Sequence, residues 1–130
     1  MASTKTEHHS SGSKTSAISN MIVHAMSECT GRGPTKARTY FNDDLVTVVL
    51  HDTLTRGERS LVGDNLGELV LMMRKAFQGT MRRDLINGVQ EIVGRDVIAL
   101  LSDNHINPDV AVEVFVLAPV GATVSARTPA

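Results

Sequence analysis

The sequence predicts an α+β fold, a two-layer sandwich in which two αββ units form a four-stranded antiparallel sheet covered by helices, one of them long. Three observations predict it. Apolar residues at helical spacing precede a pair of β-branched runs, and this happens twice along the chain. Asn- and Asp-rich stretches of turn chemistry join the runs within each pair. Gly-Arg follows each helical stretch, as Gly31-Arg32 and again as Gly94-Arg95. A single αββ unit has an apolar sheet face that it cannot hide alone; joining two units lets both helices cover one sheet.

In order along the chain, Met1–Lys14 is polar and Ser-rich, has no apolar run of the kind a signal peptide needs, and is expected to be a disordered tail in which His8-His9 is solvated. Ile18, Met21, Ile22, Ala25, Met26 and Cys29 share one helical face, with Thr15 or Ser16 as the expected N-cap and Gly31 as the stop. Cys29 reads as a core thiol. Lys36–Phe41 and Leu45–His51 are strands around the Asn42-Asp43-Asp44 turn. Thr55-Arg56-Gly57-Glu58 has the capping-box pattern and opens a short helix to about Val62. A long helix follows from about Leu66 to Val93, with a stripe of Leu66, Leu69, Val70, Met73, Phe77, Met81, Leu85, Val89 and Ile92. That stripe is longer than the sheet needs for cover, so part of it is expected to pack against a second copy. Gly79 and Gly88 interrupt it, either for close approach or as weak points. Val97–Leu101 is a strand, Ser102–Asp109 a polar turn, and Val110–Leu117 the last strand. In that strand the face of Val110, Val112, Val114 and Val116 is the expected core side and Glu113 the wetter one. Leu45–Leu50 echoes Val112–Leu117. The domain is expected to span residues 15–118, with a flexible tail over 119–130.

Composition excludes several function classes. The 130 residues fit one domain, and a net charge of −1 provides no basic field for nucleic acid. Trp is absent and the aromatics are few, which leaves little for base stacking. Cys29 is the single cysteine, so no intrachain disulfide and no thiolate zinc site can form within one chain, and a reducing, cytoplasmic compartment is expected. No apolar run approaches the roughly 20 residues of a membrane span, so contact with a membrane is expected through a partner, without direct insertion. Ser60 and Ser102 lie in no nucleophile elbow, and neither a dinucleotide fingerprint nor a His-Glu-x-x-His pattern occurs. The expectation is a non-enzymatic protein with no cofactor and no metal.

Two constellations have functional readings beside structural ones. Thr30–Lys36, with Arg38 close behind, combines Gly31 and Gly33 with the cations Arg32, Lys36 and Arg38. Two glycines allow close backbone approach, and phosphate or bicarbonate would suit the charges. The loop follows a helix, however, and helix C-termini present carbonyls, which repel anions. A structural turn with solvated charges is the plainer reading. The second is Ser102–Asp109, where Asp103, Asn104, His105 and Asp109 could contact a partner; a metal is the weaker reading, since one His and two carboxylates without fixed spacing also suit a hairpin loop. His51 and Asp52 are adjacent on a strand and face opposite ways.

Thr30-Gly31-Arg32-Gly33-Pro34-Thr35-Lys36-Ala37-Arg38-Thr39 resembles the opening signature of the bacterial MpsC-like family. So do Leu50-His51-Asp52-Thr53-Leu54-Thr55, Gly67-Glu68-Leu69-Val70, Leu101-Ser102-Asp103-Asn104-His105 and Asp109–Leu117, and together they cover about Ser16 to Pro119. The resemblance implies a soluble accessory or regulatory role near a Na+-linked, membrane-potential-generating system tied to inorganic-carbon uptake, with membrane transporter subunits as partners. It brings no catalytic residues with it. The alternative reading from the residues is a sensor that holds bicarbonate or phosphate at Arg32, Lys36 and Arg38.

Overall fold

Seven elements follow one another in a computed structural model that describes residues 2–121, with side chains from residue 12 onward. They are α1 (Ala2–Thr30), β1 (Lys36–Asn42), β2 (Leu45–His51), α2 (Arg56–Gly63), α3 (Gly67–Val93), β3 (Val97–His105) and β4 (Val110–Leu117). The strands form one antiparallel sheet in the order β1-β2-β4-β3, so the two hairpins meet along β2 and β4 at its centre. Both long helices lie on one face and pack on each other, α1 over β1 and α3 over β3. This is the two-layer α+β architecture that the duplicated pattern predicts.

Local chemistry places most boundaries. Gly31 and Gly94 end α1 and α3 with φ of 79° and 70°, the left-handed conformation that glycine adopts without a Cβ penalty. Thr55 caps α2 through a full capping box with Glu58. Val46, Val48 and Leu50 of β2 are fully buried beneath the helices, as are Ile18 and Ile22 of α1 and Leu85 and Val89 of α3. Cys29 packs at the margin of this core, its Sγ 3.7 Å from Thr80 Oγ1. The second half repeats the first in its hydrogen bonds. Arg32 donates to the carbonyl of Asp52, the residue after β2, and Arg95 to that of Ala118, the residue after β4. The Asp52 amide bonds to Asp109 O, and the Leu117 amide to Asp44 O.

The structure corrects several expectations. α1 is continuous back to Ala2, through the stretch expected to be a tail, and Thr15 donates its hydroxyl to Gly12 O instead of capping a helix start. Extending an existing helix fixes one residue per hydrogen bond gained, far less demanding than nucleating one. The end of the second expected tail, residues 122–130, lies outside the described residues. β3 continues to His105, because β4 offers it ladder partners as far as Asn104↔Ala111 and His105↔Val110, so the expected Ser102–Asp109 turn shrinks to the residues between the strands. The face of β4 is also the reverse of that expected: Ala111, Glu113, Phe115 and Leu117 point into the core and the four valines point away. At the start of α3, Leu66 in the cap position and Leu69 are exposed and Arg74 is buried, since this end of the helix packs on α2 and the segment before it.

The two glycines inside α3 separate cleanly. A Cβ on Gly88 would sit 2.8 Å from Met21 Sδ and Cε, so the end of the Met21 side chain would have to shift; a Cβ on Gly79 would meet nothing within 4 Å. Gly79→Ala is therefore expected to stabilise the fold by about 0.5–1 kcal/mol through helix propensity. Gly88→Ala is expected to lose that gain to overpacking and to destabilise by about 1 kcal/mol. Urea denaturation of the two variants checks both signs.

Candidate functional site

Beyond β2 the chain leaves regular structure at Asp52–Thr55 yet stays buried: Thr53 and Leu54 are only 2% and 6% exposed. Buried irregular backbone must find partners outside any ladder, and here side chains from four other places supply them. From the loop after α1, Arg32 donates to Asp52 O (3.0 Å), Leu54 O (2.7 Å) and Asp52 Oδ2 (2.8 Å). From the turn before β4, Asp109 accepts the Thr53 hydroxyl at 3.0 Å and the Leu54 amide at 2.9 Å. From α3, Arg74 donates to Thr53 O and, through Nε and Nη2, to both oxygens of Glu58 at 2.8 and 2.7 Å. From α2, Glu58 completes the ring by accepting the Thr55 amide.

The charges respond to these surroundings. Burial pushes the Glu58 carboxyl up, but hydrogen bonds from Arg74 and Thr55 and the Arg74 charge outweigh it and hold the group below the usual carboxylate range. The hydrogen bond from Arg32 does the same for Asp52, aided by Arg59 3.3 Å away. Glu113 differs. It sits on the sheet floor, 4% exposed, with Ser102 of the neighbouring strand donating to it and, among the described residues, no cation paired with it. Burial pushes its carboxyl up to about 7, and the Ser102 bond offsets only part of this. Glu113 and Asn104 form the polar part of the floor of a crevice between α1, α3 and the sheet. The crevice measures about 340 Å³ with its open mouth included, and its other walls combine apolar Ile22, Met26, Phe77 and Met81 with polar Thr30, Arg74 and Gln78. Its enclosed part has room for roughly one water.

The residues singled out in the sequence are dispersed. Arg32 is committed to the Asp52–Leu54 backbone, and Gly33 packs on α1, where a Cβ would lie 2.5 Å from Ser27 Oγ. Lys36 and Arg38 lie on the face of β1 turned away from the helices. Asp103 and His105 lie on the same outer face but on β3, at the opposite edge of the sheet; His105 Nδ1 is 2.8 Å from Pro108 O. Asn104 points inward to the crevice, and Asp109 is engaged with Thr53 and Leu54. Asp52 lies just beyond β2 with a φ of 58°, so the expected alternation of His51 and Asp52 as strand neighbours does not apply to it. Arg74 escaped the sequence reading, Glu58 was read only as a capping residue, and Glu113 was placed on the wetter face. Arg74 did carry a signal, standing four residues after Val70 and three before Phe77, on the buried line of α3. Glu113 carried none, because both faces of β4 are apolar.

The geometry defines a small α+β domain with a one-sided sheet and polar clusters turned to internal bonding. Among the described residues no helix is long and apolar enough to cross a membrane. The chain belongs to the MpsC family: the family model described as "Na+-translocating membrane potential-generating system (MpsC)" matches residues 10–119. It is also similar to an uncharacterized protein of Bacillus subtilis, YrhF, at 27% identity over 101 residues, which cover 76% of this chain and 83% of that protein. No solved structure gives a significant match.

Two outcomes follow for the buried charges. Arg74→Ala leaves Glu58 buried without its cation and is expected to destabilise the fold by about 3 kcal/mol, read from urea denaturation at pH 7. Glu113, with its folded pKa raised, holds a proton that the unfolded chain has released between pH 4.5 and about 7, so stability falls as pH rises through that window. Glu113→Gln is expected to remove this loss, worth roughly 2–3 kcal/mol, so that the variant gains on the wild type between pH 5 and pH 8. An identical pH dependence in the two proteins would show that Glu113 titrates normally.

Proposed function

We propose that this chain is a non-enzymatic accessory or regulatory subunit of a Na+-linked, membrane-potential-generating system tied to inorganic-carbon transport, working at the cytoplasmic side of the membrane. The observation that supports it is the family match over residues 10–119, taken with a described chain in which no helix can cross a bilayer. A protein of this kind reaches a membrane system by docking on its membrane-embedded subunits. The disposition of polar groups agrees with a binding role rather than a reaction. Arg32, Arg74, Glu58 and Asp109 bond to one another's segments, and Glu113 bonds to Ser102. A bicarbonate or phosphate sensor centred on Arg32, Lys36 and Arg38 draws less support, because Arg32 already donates to two carbonyls and a carboxylate.

Membrane fractionation in the native host tests the proposal. The tagged chain is expected in the membrane fraction when the membrane subunits of the system are present and in the soluble fraction when their genes are deleted. A distribution that ignores those subunits overturns it.

A further inference from the structure

The sheet is covered on one side only, and its outer face carries apolar side chains in the middle, with Lys36, His51 and His105 sharing a polar row at one end. Val112 and Val114 stand at its centre, and Tyr40 and Leu101, on opposite edges, are 50% and 58% exposed. Its charges are arranged in a particular way. Strand register places Arg38, Val49, Val112 and Asp103 in one row across the four strands, a cation at the β1 edge and a carboxylate at the β3 edge. Among the described residues Arg38 has no ion pair, and Asp103 accepts only its neighbour's amide, from Asn104 at 2.8 Å. At a strand spacing of about 4.8 Å the two lie roughly 14 Å apart in one chain, too far to meet.

We propose that this outer face is the interface of a symmetric homodimer whose two-fold axis runs parallel to the strands between β2 and β4. The proposal is independent of the accessory role. Such an axis lays β1 of one copy over β3 of the other and keeps each row against itself reversed. Arg38 then faces the second copy's Asp103, Tyr40 faces Leu101, and Val49 faces Val112, with the charge pair formed twice, once at each rim. An axis perpendicular to the strands would reverse the rows end for end and set Arg38 and Asp103 against apolar side chains, so the charges select the parallel axis. Each stacked sheet hides the β-branched face that the helices leave open. Four strands of about seven residues give a face of roughly 20 by 23 Å, the size of a weak, transient interface, so the dimer is expected to dissociate on dilution.

Sedimentation of the full chain from about 1 µM to 1 mM is expected to pass from the 14.0 kDa monomer to twice that mass. Arg38→Asp and Asp103→Arg each set like charges against one another at both rims, and each alone is expected to weaken the dimer at least about tenfold while far-UV circular dichroism stays unchanged. Mixing the two single variants is expected to restore association as a heterodimer, since every rim contact again joins opposite signs, and the double variant is expected to dimerise by itself. A wild type that stays monomeric throughout the range overturns the proposal. So does a dimer that ignores both substitutions, which would place the interface elsewhere, or a pair of variants that fail to rescue one another on mixing.

Discussion

The irregular segment Asp52–Thr55 is the constraint on which the arrangement of the other elements depends. Thr53 and Leu54 are buried outside the sheet, so their backbone groups need partners from elsewhere in the chain. Arg32 reaches the segment from the end of α1, Arg74 from α3, Asp109 from the β3–β4 turn, and Glu58 from α2. These residues are far apart in sequence, and their bonds form only when all four elements are in place. The segment thus joins the first αββ unit to the second. Arg95 plays the matching part at the other end of the sheet, tying Asp44 and Ala118 together.

A sheet covered on one side divides the chain's residues into two populations. Those facing the helices make the core, and one of them, Glu113, is an acid with a hydroxyl for company and, among the described residues, no counter-ion. Those facing away are mainly β-branched on the central strands, with Tyr40 and Leu101 on the edge strands beside charged Arg38 and Asp103.

Much of the fold was legible because its signals are local. The capping box at Thr55 and Glu58, the stops at Gly31 and Gly94, and the Asn42–Asp44 turn each depend on a few neighbouring residues, and each is found where it was expected. The face of β4 was not legible. It is a central strand whose two sides are both apolar, so alternation pointed to the valines when the larger Phe115 and Leu117 take the core. The extent of β3 was hidden for a related reason: polar Ser102, Asp103 and Asn104 look like a loop, yet a ladder partner makes them a strand. The sequence singled out Arg32, Gly33, Lys36 and Arg38 in one segment, and Asp103, Asn104 and His105 in another that proves to be strand. It could not show that Arg32 is consumed by backbone carbonyls, or that Arg38 and Asp103 share one row of the outer face.

By itself, then, the sequence determined the element order, the duplicated helix-plus-hairpin pattern and the family, because periodicity, capping and turn chemistry act over a few residues. Tertiary structure alone decided which face of the sheet is the core, which charges are buried, and which stand opposite one another at its rims. Burial and pairing are properties of residues brought together from distant positions, and a strand or helix with apolar groups on more than one side carries no local instruction for choosing between them.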